Sequence, residues 1–417
     1  MLNRRSILTG LATGAALLSA PRLLAATEID TGDLQPITGD VKPIGAAERE
    51  ARIEQARRLM RTHGLDAVLI EPGSSLIYFS GVRWHRSERL TALLLPLRGE
   101  PVVVTPFFEE PSVRQTLGIP ADVRVWQEDE DPLALVAAAL RERGAAAGTI
   151  GIEESVRFFA SDGLAHHLPQ ARLVSANPVV RGCRRIKSRA ELALLQKAND
   201  VTLAALRWTW PRVKEGMAPG DIAALVDAAT AKLGGMPDGA LVLLGEAAAY
   251  PHGSRAPQRV REGEVVLLDC GCTVEGYTSD ISRTAVPGKA SDAINRVWGQ
   301  VAAGQQVALR AARLGAPAGS VDDAVRAFYA GLDYGPGYRL PGLSHRTGHG
   351  IGLDGHEPVN LVHGEATPLA VGMCFSDEPG LYLPGRFGVR LEDCWHMTAE
   401  GPRLFTTPPT SLDRPFG

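Results

Sequence analysis

The sequence predicts a two-domain chain, an α/β domain followed by an α+β domain, and three observations carry that expectation. At 417 residues the chain exceeds one average domain and favours two. In its first half, short apolar runs alternate with segments of helical periodicity, the pattern of a central sheet with packed helices. From Gly239 onward glycine and proline become dense and strands dominate. Hydrophobic residues make up 45% and charged residues 22%, so both domains can bury cores. A formal net charge of −3 gives no electrostatic case for nucleic acid or an acidic membrane surface as a partner.

Residues 1–26 stand apart. Arg4 and Arg5 directly precede an apolar run from Ile7 to Ala20, too short and glycine-broken to span a bilayer. This reads as an export signal of the twin-arginine type, which implies export machinery for folded proteins and a periplasmic or secreted location. A basic, partly helical N-terminus of a cytosolic protein is the other reading. Ala25-Ala26 suits cleavage, whereas Leu23 and Leu24 do not, so retention as an anchor stays open. Residues 27–44, with Pro36 and Pro43, read as an extended arm.

Between Ala46 and His63, Ile53, Ala56, Leu59 and Met60 recur at helical spacing, with Gly64 as the stop. Ala67–Ile70, Ala92–Leu95, Val102–Val104 and Thr149–Ile152 read as buried strands, and Leu133–Arg143 and Val156–His167 as helices. This domain spans residues 45–183. Arg184 to Arg189 forms a basic hinge into the second domain, residues 184–417. There Glu191 opens a helix reaching Trp210, Asp221 caps a helix to Leu233, and Ala290–Leu314 is helical. The five cysteines, Cys183, Cys270, Cys272, Cys374 and Cys394, form no C-x-x-C pair and read as small buried residues without a required disulfide.

The chemistry-bearing residues concentrate in the second domain. Val265 to Asp269 reads as a buried strand ending in a carboxylate, and the return strand begins at Tyr277-Thr278-Ser279-Asp280. A hairpin would place Asp269 beside Asp280, where two close carboxylates need a cation or protons. Turn or capping aspartates are the alternative. In Ser344 to Glu357, His345 and His349 stand four apart, but Gly348, Gly350 and Gly352 argue against a helix. The segment reads as a glycine-rich strand or loop close to a site, although any single histidine here could be structural. Asp377-Glu378-Pro379-Gly380 follows. Arg390 and Glu392 then share one face of an extended segment, as an inward polar surface or as an edge-strand ion pair.

In order, the PHG, D-x10-D, HRTGHGIG, HE, EPG and R-x-E motifs resemble the pita-bread metallopeptidases, a family that includes Xaa-Pro aminopeptidase, Xaa-Pro dipeptidase (prolidase) and methionine aminopeptidase. The resemblance runs from about Ile44 to the C-terminus. It implies a creatinase-like α/β N-terminal domain and an α+β pita-bread catalytic domain. It also implies five ligands for two divalent ions: Asp269, Asp280, His349, Glu378 and Glu392, with Asp280 and Glu392 at the bridging positions. Such ligation suits Mn²⁺, with Co²⁺, Fe²⁺ or Zn²⁺ as alternatives. His252 and His356 match catalytic histidines that would hydrogen-bond the carbonyl oxygen and oxyanion. Glu378 would carry the proton, and Arg390 would position the substrate.

The separate N-terminal domain and the stretch Tyr78 to Trp84 resemble the proline-specific branch. The activity implied is hydrolysis of the bond before proline in the second position of a dipeptide or short peptide, by a hydroxide bridging two ions. A homodimer is the family expectation, with Trp84, His85 and Arg86 as contacts at a neighbouring subunit's site; surface loop residues around a packed tryptophan are the other reading. Two rival functions remain, a metal-free binding module and a metal-dependent hydrolase of a small non-peptide amide.

Overall fold

The computed structural model describes residues 29–416, so the expected export signal lies outside the described residues. The N-terminal domain is built on a six-stranded sheet in the order Asp122–Trp126, Val102–Pro106, Ala92–Pro96, Ala67–Ile70, Thr149–Ile152 and Arg172–Ser175. The inner three strands pair antiparallel, and the flanking pairs are parallel. Every residue of Ala67–Ile70 is buried because both faces of the sheet are covered. Val68 and Ile70 face one core, with Ile53, Ala56 and Met60 of the helix Ala46–His63; Ala67 and Leu69 face the other, with Val136 and Leu140. Gly64 ends the first helix in the left-handed region, at φ 67°, a conformation that disfavours a side chain.

The second domain carries two antiparallel sheets. One orders Ile281–Ala285, Val266–Val274 and Met236–Leu244, with Tyr277–Thr278 paired to the central strand. The other orders Glu357–Leu361, Gly348–Gly350, Cys374–Asp377, Asp393–Thr398 and Gly401–Leu404, beside the hairpin Gly380–Leu383 and Phe387–Arg390. Helices Arg189–Thr209 and Pro219–Leu233 contribute Leu206 and Val226 to the core of the first sheet. Helices Asp292–Ala311 and Gly319–Ala330 contribute Val301 and Val325 to the core of the second.

Several elements differ from the sequence expectation for identifiable reasons. Asp221 is not an N-cap: the helix begins at Pro219, and the Asp221 carboxylate reaches back to the Ala218 N–H at 2.8 Å. The strand through Asp269 does not end there but continues to Val274, so Asp269 sits mid-strand opposite Ser282. The arm over residues 29–44 is docked, with Asp33 on Trp208 and Arg212 and Asp40 on Lys197. Arg184, expected in the basic hinge, closes the helix Asn177–Arg184 and pairs with the buried Glu357. All five cysteines are free and buried.

Candidate metal centre

Asp269 projects from the middle of its strand between buried Leu268 and Cys270. Asp280 occupies the short gap before Ile281, in a turn held by the Ser279 N–H donating to the Cys272 carbonyl at 3.0 Å. His349 lies in the strand Gly348–Gly350 and is 1% exposed. A Cβ at Gly348 would lie 2.2 Å from the Ser376 carbonyl, so glycine allows this close backbone approach. Glu378 follows the strand Cys374–Asp377, and Glu392 lies between Arg390 and Asp393 at the ends of two strands. These five side chains, scattered over the sequence, converge. Ligand atoms of Asp269, Asp280 and Glu392 lie within 4.8 Å of one another, as do those of His349, Glu378 and Glu392. Asp280, His349 and His356 form a third such group.

The imidazole of His349 is oriented for ligation. Its Nδ1 faces the Gly350 carbonyl at 3.0 Å, which fixes the hydrogen there and leaves Nε2 towards Glu378 at 3.3 Å and Asp280 at 3.7 Å. Burial, with His356 nearby, depresses its pKa to about 3, so the neutral ligand form prevails. The acids behave oppositely. Burial and the Asp269 charge push Asp280 well up; burial and the Asp280 and Glu378 charges do the same to Glu392. Glu392 Oε1 is buried without a hydrogen-bond partner. A compact, carboxylate-rich set with one neutral imidazole and an orphaned oxygen fits hard divalent cations.

Arg390, expected to position the substrate, lines the same cavity as the five proposed ligands. It is 3% exposed, and all its nitrogens are engaged by protein. Nε donates to Ser282 at 2.9 Å, Nη1 to the Tyr382 hydroxyl at 3.1 Å and the Pro251 carbonyl at 3.2 Å, and Nη2 to Asp269. Four of its five N–H donors are thus engaged, so the guanidinium organises the acidic cluster while it lines the cavity.

His252 and His356 line the same cavity of about 400 Å³ as the four acids and the His349 imidazole. The His356 ring lies 3.9 Å from that of His349, and its Nδ1 is 3.0 Å from an Arg346 guanidinium nitrogen. Arginine can only donate, so His356 Nδ1 accepts and Nε2 carries the hydrogen. Trp84, His85 and Arg86 do not line this cavity. Trp84 donates to Glu109 at 3.1 Å, and Arg86 to the carbonyls of Pro72 and Ser155 at 3.0 and 2.6 Å.

Four further residues had no assigned role in the sequence reading. His345 and Arg346 line the cavity, and His345 bonds the Tyr382 hydroxyl at 2.7 Å. The HRTGH motif contained both, and extended-chain alternation places His345 on the side of His349. Ser282 bridges Asp269 and Glu392 at 2.9 and 2.7 Å, and Tyr382 links His345 to Arg390. A serine and a tyrosine in strands carry no sequence signal of such a role.

An α/β domain is thus joined to a domain of antiparallel sheets in which four carboxylates and an imidazole converge on one cavity, a set able to hold metal ions. The chain matches the family models for metallopeptidase family M24 over residues 193–399 and the creatinase/prolidase N-terminal domain over residues 52–186. It is 35% identical over 353 residues to a probable dipeptidase, PepE, of Mycobacterium tuberculosis, covering 81% of this chain and 89% of the relative. To an Xaa-Pro dipeptidase of Lactobacillus helveticus it is 30% identical over 361 residues, 85% of this chain and 96% of the relative. The crystal structure of dipeptidase PepE from Mycobacterium ulcerans superposes with a TM-score of 0.81 at 32% identity, covering 89% of this chain and 99% of that one. The chain belongs to metallopeptidase family M24, in its prolidase branch, with the pita-bread catalytic domain that the motifs implied.

Proposed function

We propose that this enzyme hydrolyses the bond before proline in the second position of dipeptides or short peptides, using two divalent ions held by Asp269, Asp280, His349, Glu378 and Glu392. The convergence of those five side chains in one cavity carries the reading. The name of the Lactobacillus helveticus relative supports the proline preference. Mn²⁺ suits the oxygen-rich set, ahead of Co²⁺, Fe²⁺ or Zn²⁺. When bound, two such ions would acidify a shared water and supply bridging hydroxide near neutral pH.

The remaining work falls to the chain's own groups. His356, whose hydrogen is on Nε2, lines the cavity and stabilises the carbonyl oxygen as it becomes an oxyanion, with His252 as a second donor. Glu378 takes the proton of the attacking water and delivers it to the leaving imino nitrogen. That delivery matters before proline, whose amide nitrogen has no hydrogen for a peptidase to bond. Arg390 holds the Asp269 carboxylate in its ligand orientation.

The test is to reload the protein with Mn²⁺ and compare Ala-Pro with a longer Xaa-Pro peptide. Cleavage of at least Ala-Pro is expected. Cleavage of neither, with metal demonstrably bound, shifts the assignment to a small non-peptide amide. Bound metal also separates this reading from a metal-free binding module. We further propose export by a twin-arginine signal and a homodimeric state. The signal is tested by fractionating cells that carry Arg4→Lys/Arg5→Lys; unchanged export of that variant removes it.

A further inference from the structure

The segment between His349 and Glu357 is a glycine-rich loop, yet it delivers the His356 ring to a fixed place beside His349. The loop closes around the Glu357 carboxylate. Glu357 Oε1 accepts from the backbone N–H groups of Leu353 and Asp354 at 3.0 and 3.3 Å. A Cβ at Gly352 would lie 2.6 Å from that same oxygen, so glycine there keeps room for it. Glu357 is itself 4% exposed. A buried carboxylate of this kind holds its place only while its charge is met.

The charge is met from outside the sheet that carries His349. Lys187 Nζ, on the linker, lies 2.9 Å from Glu357 Oε2, and Arg184, ending the last helix of the N-terminal domain, lies 2.6 Å from Oε1. Arg184 also reaches Asp354 at 2.6 Å and Ser75 at 3.1 Å, and Ser74 bonds Asp354. Ser75 in turn donates to Glu153 at 3.0 Å. The linker is fixed at the other side by the Lys187 N–H on the Gly372 carbonyl at 2.8 Å.

We propose that Lys187 and Arg184 are positioning residues that hold His356 at the reaction site through Glu357, which makes the N-terminal domain and its linker part of the catalytic apparatus. This rests on the role of His356 proposed above. Neither cation touches the cavity, so each acts on rate only through the loop. Without Lys187 the loop must re-form around a half-neutralised carboxylate, and displacement of a catalytic donor by about 1 Å can cost about 10²-fold in rate.

The test uses the full-length, Mn²⁺-loaded enzyme on Ala-Pro, comparing wild type, Lys187→Met, Glu357→Gln, His356→Ala and the double variant Lys187→Met/His356→Ala. Lys187→Met and Glu357→Gln should each lower kcat roughly 10- to 100-fold, the range for losing an orienting partner. Mn²⁺ affinity by calorimetry and KM should change little, and Lys187→Arg should recover most of the rate. In the His356→Ala background, Lys187→Met should have no further effect. Wild-type kcat in Lys187→Met, or an effect that multiplies with that of His356→Ala, overturns the inference alone. Wild-type kcat in His356→Ala instead overturns the role of His356 on which it rests. Should Lys187→Met fail to fold, Glu357→Gln and Arg184→Met, at a more exposed cation, carry the same comparison.

Discussion

Glu378 shows how completely one carboxylate is redefined by its surroundings. Burial pushes its pKa to about 7 from an ordinary 4.5, with Arg390 opposing the shift and the Asp269 charge adding to it. In the metal-free protein near pH 6 this group therefore carries a proton that must leave when a cation binds. Asp280 and Glu392 are shifted in the same direction, chiefly by burial. Apparent metal affinity should thus rise as pH is raised towards about 7, where Glu378 gives up its proton. Calorimetric Mn²⁺ titrations at pH 6 in buffers of different ionisation enthalpy should show proton release. A binding enthalpy independent of the buffer would contradict this picture. At the same scale, the five converging side chains were legible in the sequence because each lies in a motif of fixed spacing. Ser282 and Tyr382 were not, because their importance comes from pairing across strands. Only the register that sets Ser282 opposite Asp269 reveals the first, and only the Gly380–Arg390 pairing brings Tyr382 to Arg390.

At the scale of elements, legibility followed the strength of the apolar period and the presence of a stop. The helix Ala46–His63 has both, and its bounds could be read directly. Strands Asp122–Trp126 and Arg172–Ser175 were missed because they lie at the sheet edges, where partial exposure admits charged residues and weakens the apolar run. The helix Gly319–Ala330 opens on Gly-Ser without an N-capping side-chain bond, so its start carried no signal. The loop closing on Glu357 was visible only as an HE dipeptide, since its partners Arg184 and Lys187 lie about 170 positions earlier. That clamp has a pH signature. Although burial alone would raise it, Lys187 and Arg184 hold the Glu357 pKa down to about 2, against an ordinary 4.5. A depressed carboxylate contributes stability that is fully present above the unfolded value and lost as pH falls towards the folded one. Glu357→Gln should therefore lower Tm at pH 7, with the gap from wild type narrowing once pH drops below about 4.5. Thermal melts across pH 3–7 check this, and a gap constant down to pH 3 would separate Glu357 from the linker charges.

At the scale of the whole molecule, the N-terminal domain presents a face that water alone does not explain. Phe107 and Phe108 are nearly half exposed, and Phe158 is 79% exposed beside Phe159. The two pairs are tied together through arginines: Arg89 lies over Phe108 and Arg157 over Phe159, and Arg157 donates to the backbone carbonyls of Ser87 and Arg89. The loop bearing Trp84, His85 and Arg86 leads directly into this segment, with Trp84 anchored on Glu109. Aromatic surface of this kind, rimmed by arginine, has the composition of an interface core. The proposed homodimer would cover it and bring the loop towards a second copy's cavity. Light scattering should give the mass of two chains for the wild type. Phe108→Glu/Phe158→Glu should give one chain, because two charges in a desolvated interface core cost more than such an interface can absorb. If the loop completes the partner's site, the monomeric variant should lose activity on Ala-Pro while binding Mn²⁺ normally. A monomeric wild type would end the dimer proposal, and a monomeric variant with full activity would confine each active site to a single chain.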